Sequence, residues 1–208
     1  MKLYYAPGAC SLSPHIVARE AGLDIDLERV DITKMPRRTQ SGADYASINP
    51  NLYVPALELD DGSILTEVGA IVQYLADLKP SSGLAPMVGA VPRYRFISWL
   101  SFIATELHKH YSPWLFHPDY GTQVQDIARG KIATRLAHVE RELAAGGPYL
   151  MGKQFTAADA YLFTIAGWSR FVKVDLMPYP ALRAFMDRVA ARPAVQQALQ
   201  AEGLKAAA

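Results

Sequence analysis

A single cysteine, Cys10, rules out an intrachain disulfide and fits a reducing compartment. Neither charge sign predominates: 21 basic side chains face 20 acidic ones for a formal net charge of +1, so nothing favours nucleic acid or an anionic membrane surface. No apolar run reaches the ~20 residues of a membrane-spanning helix. The apolar start is broken by Pro7 and Gly8 too early for a secretory signal, which points to a cytoplasmic chain. The phosphate-binding patterns GxGxxG and the P-loop are missing, and so is HExxH. His108, His110 and His117 do not make up for it, because positions i and i+2 of a helix face different ways; no metal is expected. At near-neutral charge, Trp99, Trp114 and Trp168 read as core or pocket walls rather than as a base-stacking platform.

Hydrophobic residues supply 50% of the chain and charged ones 20%, enough apolar side chains for one or two cores. Residues 2–5 predict a short strand, followed by a turn at Pro7-Gly8. Residues 11–21 predict a helix, with Leu12, Ile16 and Val17 on one face and Gly22 as its cap. Ile25, Leu27, Val30 and Ile32 predict a second strand whose alternation slips near Arg29, and a polar loop runs from 33 to 51. Two apolar runs around Asp60-Asp61-Gly62-Ser63 predict a hairpin, and 67–78 a helix with Val68, Ile71, Val72 and Leu75 on one face. The segment 79–92 is rich in proline and glycine and reads as a linker. Everything after it reads helical: 93–112, 124–145 (with Ile127, Ile132, Leu136, Val139 and Leu143), a helix started by Thr156 and Asp159, 180–191 and 194–202. The expected architecture is an α/β domain of βαβ-ββα order at 1–78, the linker 79–92 and an all-α domain at 93–208.

Cys10 falls where the first strand gives way to the first helix. Unpaired N–H groups and the positive end of the dipole favour a thiolate there, and the thiolate is the reactive form. Ser11 and Ser13 offer further hydroxyl donors. The alternative is a small buried hydrophobe, the usual fate of a lone cysteine.

A strand–turn–Cys–helix unit followed by strand, hairpin and helix is the layout of a thioredoxin-like domain. With the helical half behind it, the chain resembles the glutathione transferases, specifically the bacterial beta class. The residues that carry this are Lys2-Leu3-Tyr4-Tyr5, Pro7-Gly8-Ala9-Cys10-Ser11-Leu12-Ser13, Asn49-Pro50, Val54-Pro55-Ala56-Leu57 and Leu65-Thr66-Glu67. The helical half adds Glu106-Leu107-His108-Lys109, Thr156-Ala157-Ala158-Asp159-Ala160-Tyr161-Leu162-Phe163 and Arg192-Pro193. Each match is weak alone. Together, in order over nearly the whole chain, they are specific.

The resemblance implies a homodimeric enzyme that conjugates glutathione, its co-substrate, to apolar electrophiles in detoxification. It places glutathione on Ala9, Cys10, Tyr53, Val54, Pro55, Glu67 and Val68, and on Ser101, Thr105, Glu106, His108 and Lys109 of the helical half. Glu106 is implied to reach across the dimer, and the Val54-Pro55 bond is implied to be cis. Arg37, with Arg38 as the adjacent alternative, is implied to meet the glycyl carboxylate. Val68 stands where relatives carry Ser or Gly, and Ser101 where they carry Asn, so those contacts change here. Cys10 and His108 are the implied catalytic pair. Tyr5, Tyr111, Trp114, Leu115 and Phe116, with Ala9, are the expected walls for the second substrate. The run Cys10-Ser11-Leu12-Ser13 has no resolving cysteine, so monothiol exchange with glutathione is chemically natural as well. The competing readings are a non-catalytic interaction module of the same fold and a glutathione-dependent dehalogenase that shares the site.

Overall fold

The structure, a computed structural model, describes residues 1–204. Strand β1 (Lys2–Tyr5) pairs parallel with β2 (Asp26–Arg29) and antiparallel with β3 (Ala56–Glu58), which pairs antiparallel with β4 (Ile64–Thr66). The sheet order is β2-β1-β3-β4. Helix α1 (Leu12–Ala21) joins the parallel pair, as a crossover must, and α2 (Val68–Leu78) follows the hairpin. The expected βαβ-ββα domain is present.

Its register explains its core. Leu3 lies opposite Leu27 and Leu57, and Leu57 opposite Leu65, so one face of the sheet carries a leucine row. Tyr4 and Ala56 sit on the other face, in a buried cluster with Val30, Tyr45 and Val54. Ile16, Val17, Ile71, Val72 and Leu75 of the two helices are fully buried. Each such side chain contributes about 1.5–3 kcal/mol of burial. Strand β2 is shorter than Ile25 to Ile32: the ladder ends at Arg29, where the Val30 N–H still donates to the Tyr5 carbonyl at 2.8 Å, and Val30 then makes an isolated bridge to Thr39.

Among the described residues, 1–85 and 190–204 form one compact unit, and Pro86–Val189 form a second. The expected helical domain of 93–208 therefore loses its end to the sheet unit; its positions 205–208 lie outside the described residues. The reason is α9 (Pro193–Ala201), which packs on α1. Arg192, just ahead of α9, grips Glu20 of α1 through Nε and Nη2 at 2.5 and 2.7 Å. No local pattern announces a pairing between residues so far apart in sequence.

The second unit is helical: α3 (Val91–Phe102), a π-helical stretch (Ile103–His108), α4 (Lys109–Tyr111), α5 (Thr122–Gly146), α6 (Ala157–Gly167), α7 (Ser169–Val172) and α8 (Pro180–Ala190). In α5 the buried stripe is Ala128, Ile132, Leu136, Val139 and Leu143. Ile127 is off that stripe and 55% exposed. Helix α6 opens with a capping box of Thr156 and Asp159. Asp159 is fully buried; its Oδ2 accepts from the Thr156 N–H and hydroxyl at 2.7 and 2.8 Å, and its Oδ1 from the Leu150 N–H at 2.8 Å. Burial pushes its carboxyl up to about 6 against these donors. Replacing it strands two buried donors and one half-buried one, so Asp159→Ala is expected to lower the unfolding free energy by about 3 kcal/mol, read as a drop in urea midpoint at unchanged m-value.

Candidate active site

The β1–α1 turn sets the position of Cys10. The Ala9 N–H donates to the Ala6 carbonyl, Leu12 to Ala9 and Ser13 to Cys10, at 3.0 to 3.1 Å. The Ser11 hydroxyl is committed to this turn: it accepts from the Ala6 N–H at 3.1 Å and donates to the Ala6 carbonyl at 3.2 Å. Ser13 Oγ is buried with no hydrogen-bond partner. The cysteine is 9% exposed, and its thiol donates to the Val54 carbonyl oxygen at 3.1 Å. That bond ties the turn to the segment before β3.

The same segment is heavily braced. The Val54–Pro55 peptide is cis. The Tyr53 carbonyl accepts from the Tyr45 hydroxyl at 2.8 Å and from Asn49 Nδ2 at 2.7 Å, while the Tyr53 ring is 64% exposed. Arg37 Nη1 donates to the Leu52 carbonyl, and its buried Nε has no partner. Arg38 instead turns back on its own loop, to the Gly42 carbonyl at 3.2 Å. Leu52 and Glu67 hold φ of +62° and +69°, a region costly for residues with a Cβ, and they flank the two ends of this region. Glu67 immediately precedes α2, whose first residue is Val68; no side chain caps that N-terminus, so its leading N–H groups have no partner within the helix. A Cβ on Gly69 would meet open space.

In the helical unit, the π stretch carries Thr105, Glu106 and His108. Such turns concentrate at functional sites. Nothing in Ile103-Ala104-Thr105-Glu106-Leu107-His108 marks one in the sequence. His108 Nδ1 lies 2.7 Å from the Tyr161 hydroxyl, with the Trp168 ring edge-on at 5.0 Å. Burial, then the charge of Lys109, pulls the imidazole down to about 4, so it is neutral at pH 7. The Thr105 hydroxyl donates to the Ser101 carbonyl at 3.0 Å. Arg135 grips Glu106 Oε2 through Nε and Nη2 at 2.9 and 2.8 Å and holds its carboxyl below the usual range. Ser101, Thr105 and Lys109 are exposed.

The expected second-substrate walls divide. Trp114 and Phe116 are 41% and 42% exposed, with Phe116 edge-on to Trp168 at 5.4 Å. Tyr111 is fully buried and its hydroxyl bonds Ser169 Oγ at 2.6 Å, which makes it a core residue and corrects its assignment as a wall. Tyr5 and Leu115, at 9% and 7% exposed, are likewise buried rather than open walls. A cleft of about 550 Å³ that the sequence did not signal lies on the helical unit, lined by Arg95, Trp99, Phe102, His138, Glu142 and Met151. Among the described residues, no group of three or more His, Cys, Asp or Glu could hold a metal, and no helix is long and apolar enough to cross a membrane.

Comparison with known proteins decides the family. Residues 8–78 match the glutathione S-transferase N-terminal domain and 102–193 the C-terminal domain. Glutathione S-transferase GstA of Escherichia coli O157:H7 is 48% identical over 205 residues, 99% of this chain and 100% of that protein. The chain belongs to the glutathione S-transferase family. A solved sphingomonad glutathione S-transferase complexed with glutathione superposes with TM-score 0.93 at 45% identity, covering 99% of this chain and 100% of that one. A bacterial beta-class glutathione S-transferase of Sphingomonas chungbukensis superposes with TM-score 0.93 at 43% identity and the same coverage. Of the expected site residues, Arg37 rather than Arg38 faces the braced segment, and Glu106 is paired with Arg135.

The depressed His108 pKa has a measurable consequence. The unfolded chain takes up this proton near pH 6.5 and the folded one near 4. Between those values the unfolded state binds more protons, so stability falls as pH drops from 6.5 to 4, by up to about 3 kcal/mol. Asp159 titrates in an overlapping window with opposite sign. The expected signature is therefore a difference: His108→Gln loses less stability than wild type on acidification from pH 7 to 4, followed by urea unfolding at each pH.

Proposed function

We propose that this transferase conjugates glutathione to apolar electrophiles, and that Cys10 gives it a second, thiol–disulfide exchange activity. The observation that carries the reading is the Cys10 thiol held at 3.1 Å from the carbonyl of Val54, in the same unit as the helix α2, whose N-terminus no side chain caps. An extended tripeptide pairs with the Val54 backbone as a short added strand. Its γ-glutamyl carboxylate fits the N-terminus of α2 at Val68, and its ammonium fits the Glu67 carboxylate. Arg37 is assigned the glycyl carboxylate, since its guanidinium reaches the Leu52 carbonyl two residues from Val54, whereas Arg38 turns back to Gly42. Ala9, Tyr53 and Pro55 supply the remaining contacts in this unit. Ser101, Thr105, Glu106 and Lys109 are proposed as glutathione contacts of the helical unit, with Trp114 and Phe116 as contacts for an apolar second substrate.

An imidazole with a pKa near 4 is a poor proton store at pH 7. His108 is therefore assigned the part of a neutral hydrogen-bonding group, steered by Tyr161, rather than that of a general base. In exchange, the Cys10 thiolate attacks a glutathione mixed disulfide, forming a Cys10–glutathione disulfide and expelling the other thiolate. A second glutathione thiolate attacks that bond, releasing oxidised glutathione and restoring Cys10. We also propose a homodimer in a cytoplasmic setting; sedimentation at micromolar concentration is expected to give twice the chain mass. A non-catalytic module of the same fold has no use for Cys10, Glu67, His108 and Lys109 together.

Binding and turnover test this directly. Calorimetric titration with reduced glutathione is expected to give one site per chain, weakened about tenfold by Arg37→Ala and unchanged by Arg38→Ala, as loss of one charge-assisted bond implies. Conjugation of an activated aryl halide by the wild type is expected alongside. No binding and no turnover would leave only the interaction-module reading.

A further inference from the structure

One buried carboxylate has no part in the proposed chemistry. Glu202 follows α9, and its side chain is fully buried. The Gly203 N–H donates to the Gln200 carbonyl and the Leu204 N–H to the Leu199 carbonyl, at 3.0 and 2.8 Å, with Gly203 at φ +71°. This left-handed closure ends the helix and fixes where Glu202 points. Its Oε2 accepts from the Gly8 N–H at 2.9 Å, and its Oε1 lies 2.9 Å from His15 Nδ1. His15 is fully buried in α1, and Arg19 Nε donates toward its Nε2 at 3.4 Å. The tautomer that fits this chain of bonds carries its proton on Nδ1 and donates to Glu202. The two Leu204 methyls lie 3.6 and 3.7 Å from where a Cβ on Gly8 would stand.

Burying a carboxylate costs several kcal/mol before its partners offset it. Docking α9 does not require that cost, because Arg192 and Glu20 already pin the other end of the helix to α1. What Glu202 adds is a grip on the turn itself. Gly8 precedes Cys10 by two residues and needs its φ of +70°. Ser11 braces the inner side of that turn through Ala6, and Glu202 its outer side through Gly8.

We propose that Glu202 is a positioning residue for Cys10: through the Gly8 N–H and His15 it locks the Pro7-Gly8-Ala9 turn so that the thiol stays at Val54. This rests on the reading that Cys10 is the reacting sulfur. The C-terminal end of the chain thereby completes the site built by its first residues.

The test compares Glu202→Gln with Arg192→Ala, each measured well below its Tm. In Glu202→Gln, amide hydrogen exchange at Gly8 is expected to accelerate about tenfold, and kcat for glutathione-dependent thiol–disulfide exchange to fall about tenfold, with KM for glutathione within about twofold of wild type. Arg192→Ala frees the same helix at its far end and is expected to lower Tm while leaving Gly8 exchange and kcat at wild-type values. If Glu202→Gln does not fold, Glu202→Asp, shorter by one methylene but still charged, is expected to give the same two signatures. Unchanged Gly8 exchange, unchanged kcat, or equal effects from both anchors would overturn the proposal. Gly8 exchange needs no glutathione, so a wild type without turnover would remove the functional reading while this arm still decides whether Glu202 holds the turn.

Discussion

The hydrogen bond from the Cys10 thiol to the Val54 carbonyl joins the two pieces of chain on which the first unit depends. One is the turn between β1 and α1; the other is the braced segment that leads into β3. Each is over-determined locally. Ser11 closes the turn on Ala6, and Tyr45 and Asn49 hold the Tyr53 carbonyl. Rigidity at both ends is what lets a weak sulfur hydrogen bond sit at a defined distance. On the reading proposed above, a tripeptide pairing with Val54 would meet a sulfur whose ordering cost was met during folding.

Much of this was legible in the sequence because it is local. The short apolar runs at residues 2–5 and around the Asp60-Asp61-Gly62 turn, and the spacing of Ile132, Leu136, Val139 and Leu143, each report on their own element. The geometry of the candidate site was partly legible for the same reason. Cys10 and Glu67 lie at the starts of elements, where unpaired N–H groups follow from chain geometry. Arg37 and Arg38 were equivalent in sequence. They separate only when the loop folds and Arg37 reaches Leu52 while Arg38 reaches Gly42.

Other features were hidden because they depend on distant partners. The π stretch at Ile103–His108 has no glycine or proline to mark it. Tyr111 looks like a pocket aromatic until Ser169 is brought to its hydroxyl. Glu202 closes the predicted helix at 194–202 with nothing local to mark it, and only the docking of α9 on α1 carries it to His15 and Gly8. Burial reverses one chemical expectation as well. A histidine is ordinarily half-charged near neutral pH, but desolvation leaves His108 neutral and suited to hydrogen bonding rather than to storing a proton.

The central claim is that Cys10 is a reactive sulfur in a glutathione site. Intact mass after incubation with oxidised glutathione, wild type beside Cys10→Ala, addresses it most directly. The expected result is one glutathionyl adduct per wild-type chain, removed by reductant and absent from Cys10→Ala. No adduct on the folded wild type would contradict the claim and return Cys10 to the role of a buried hydrophobe.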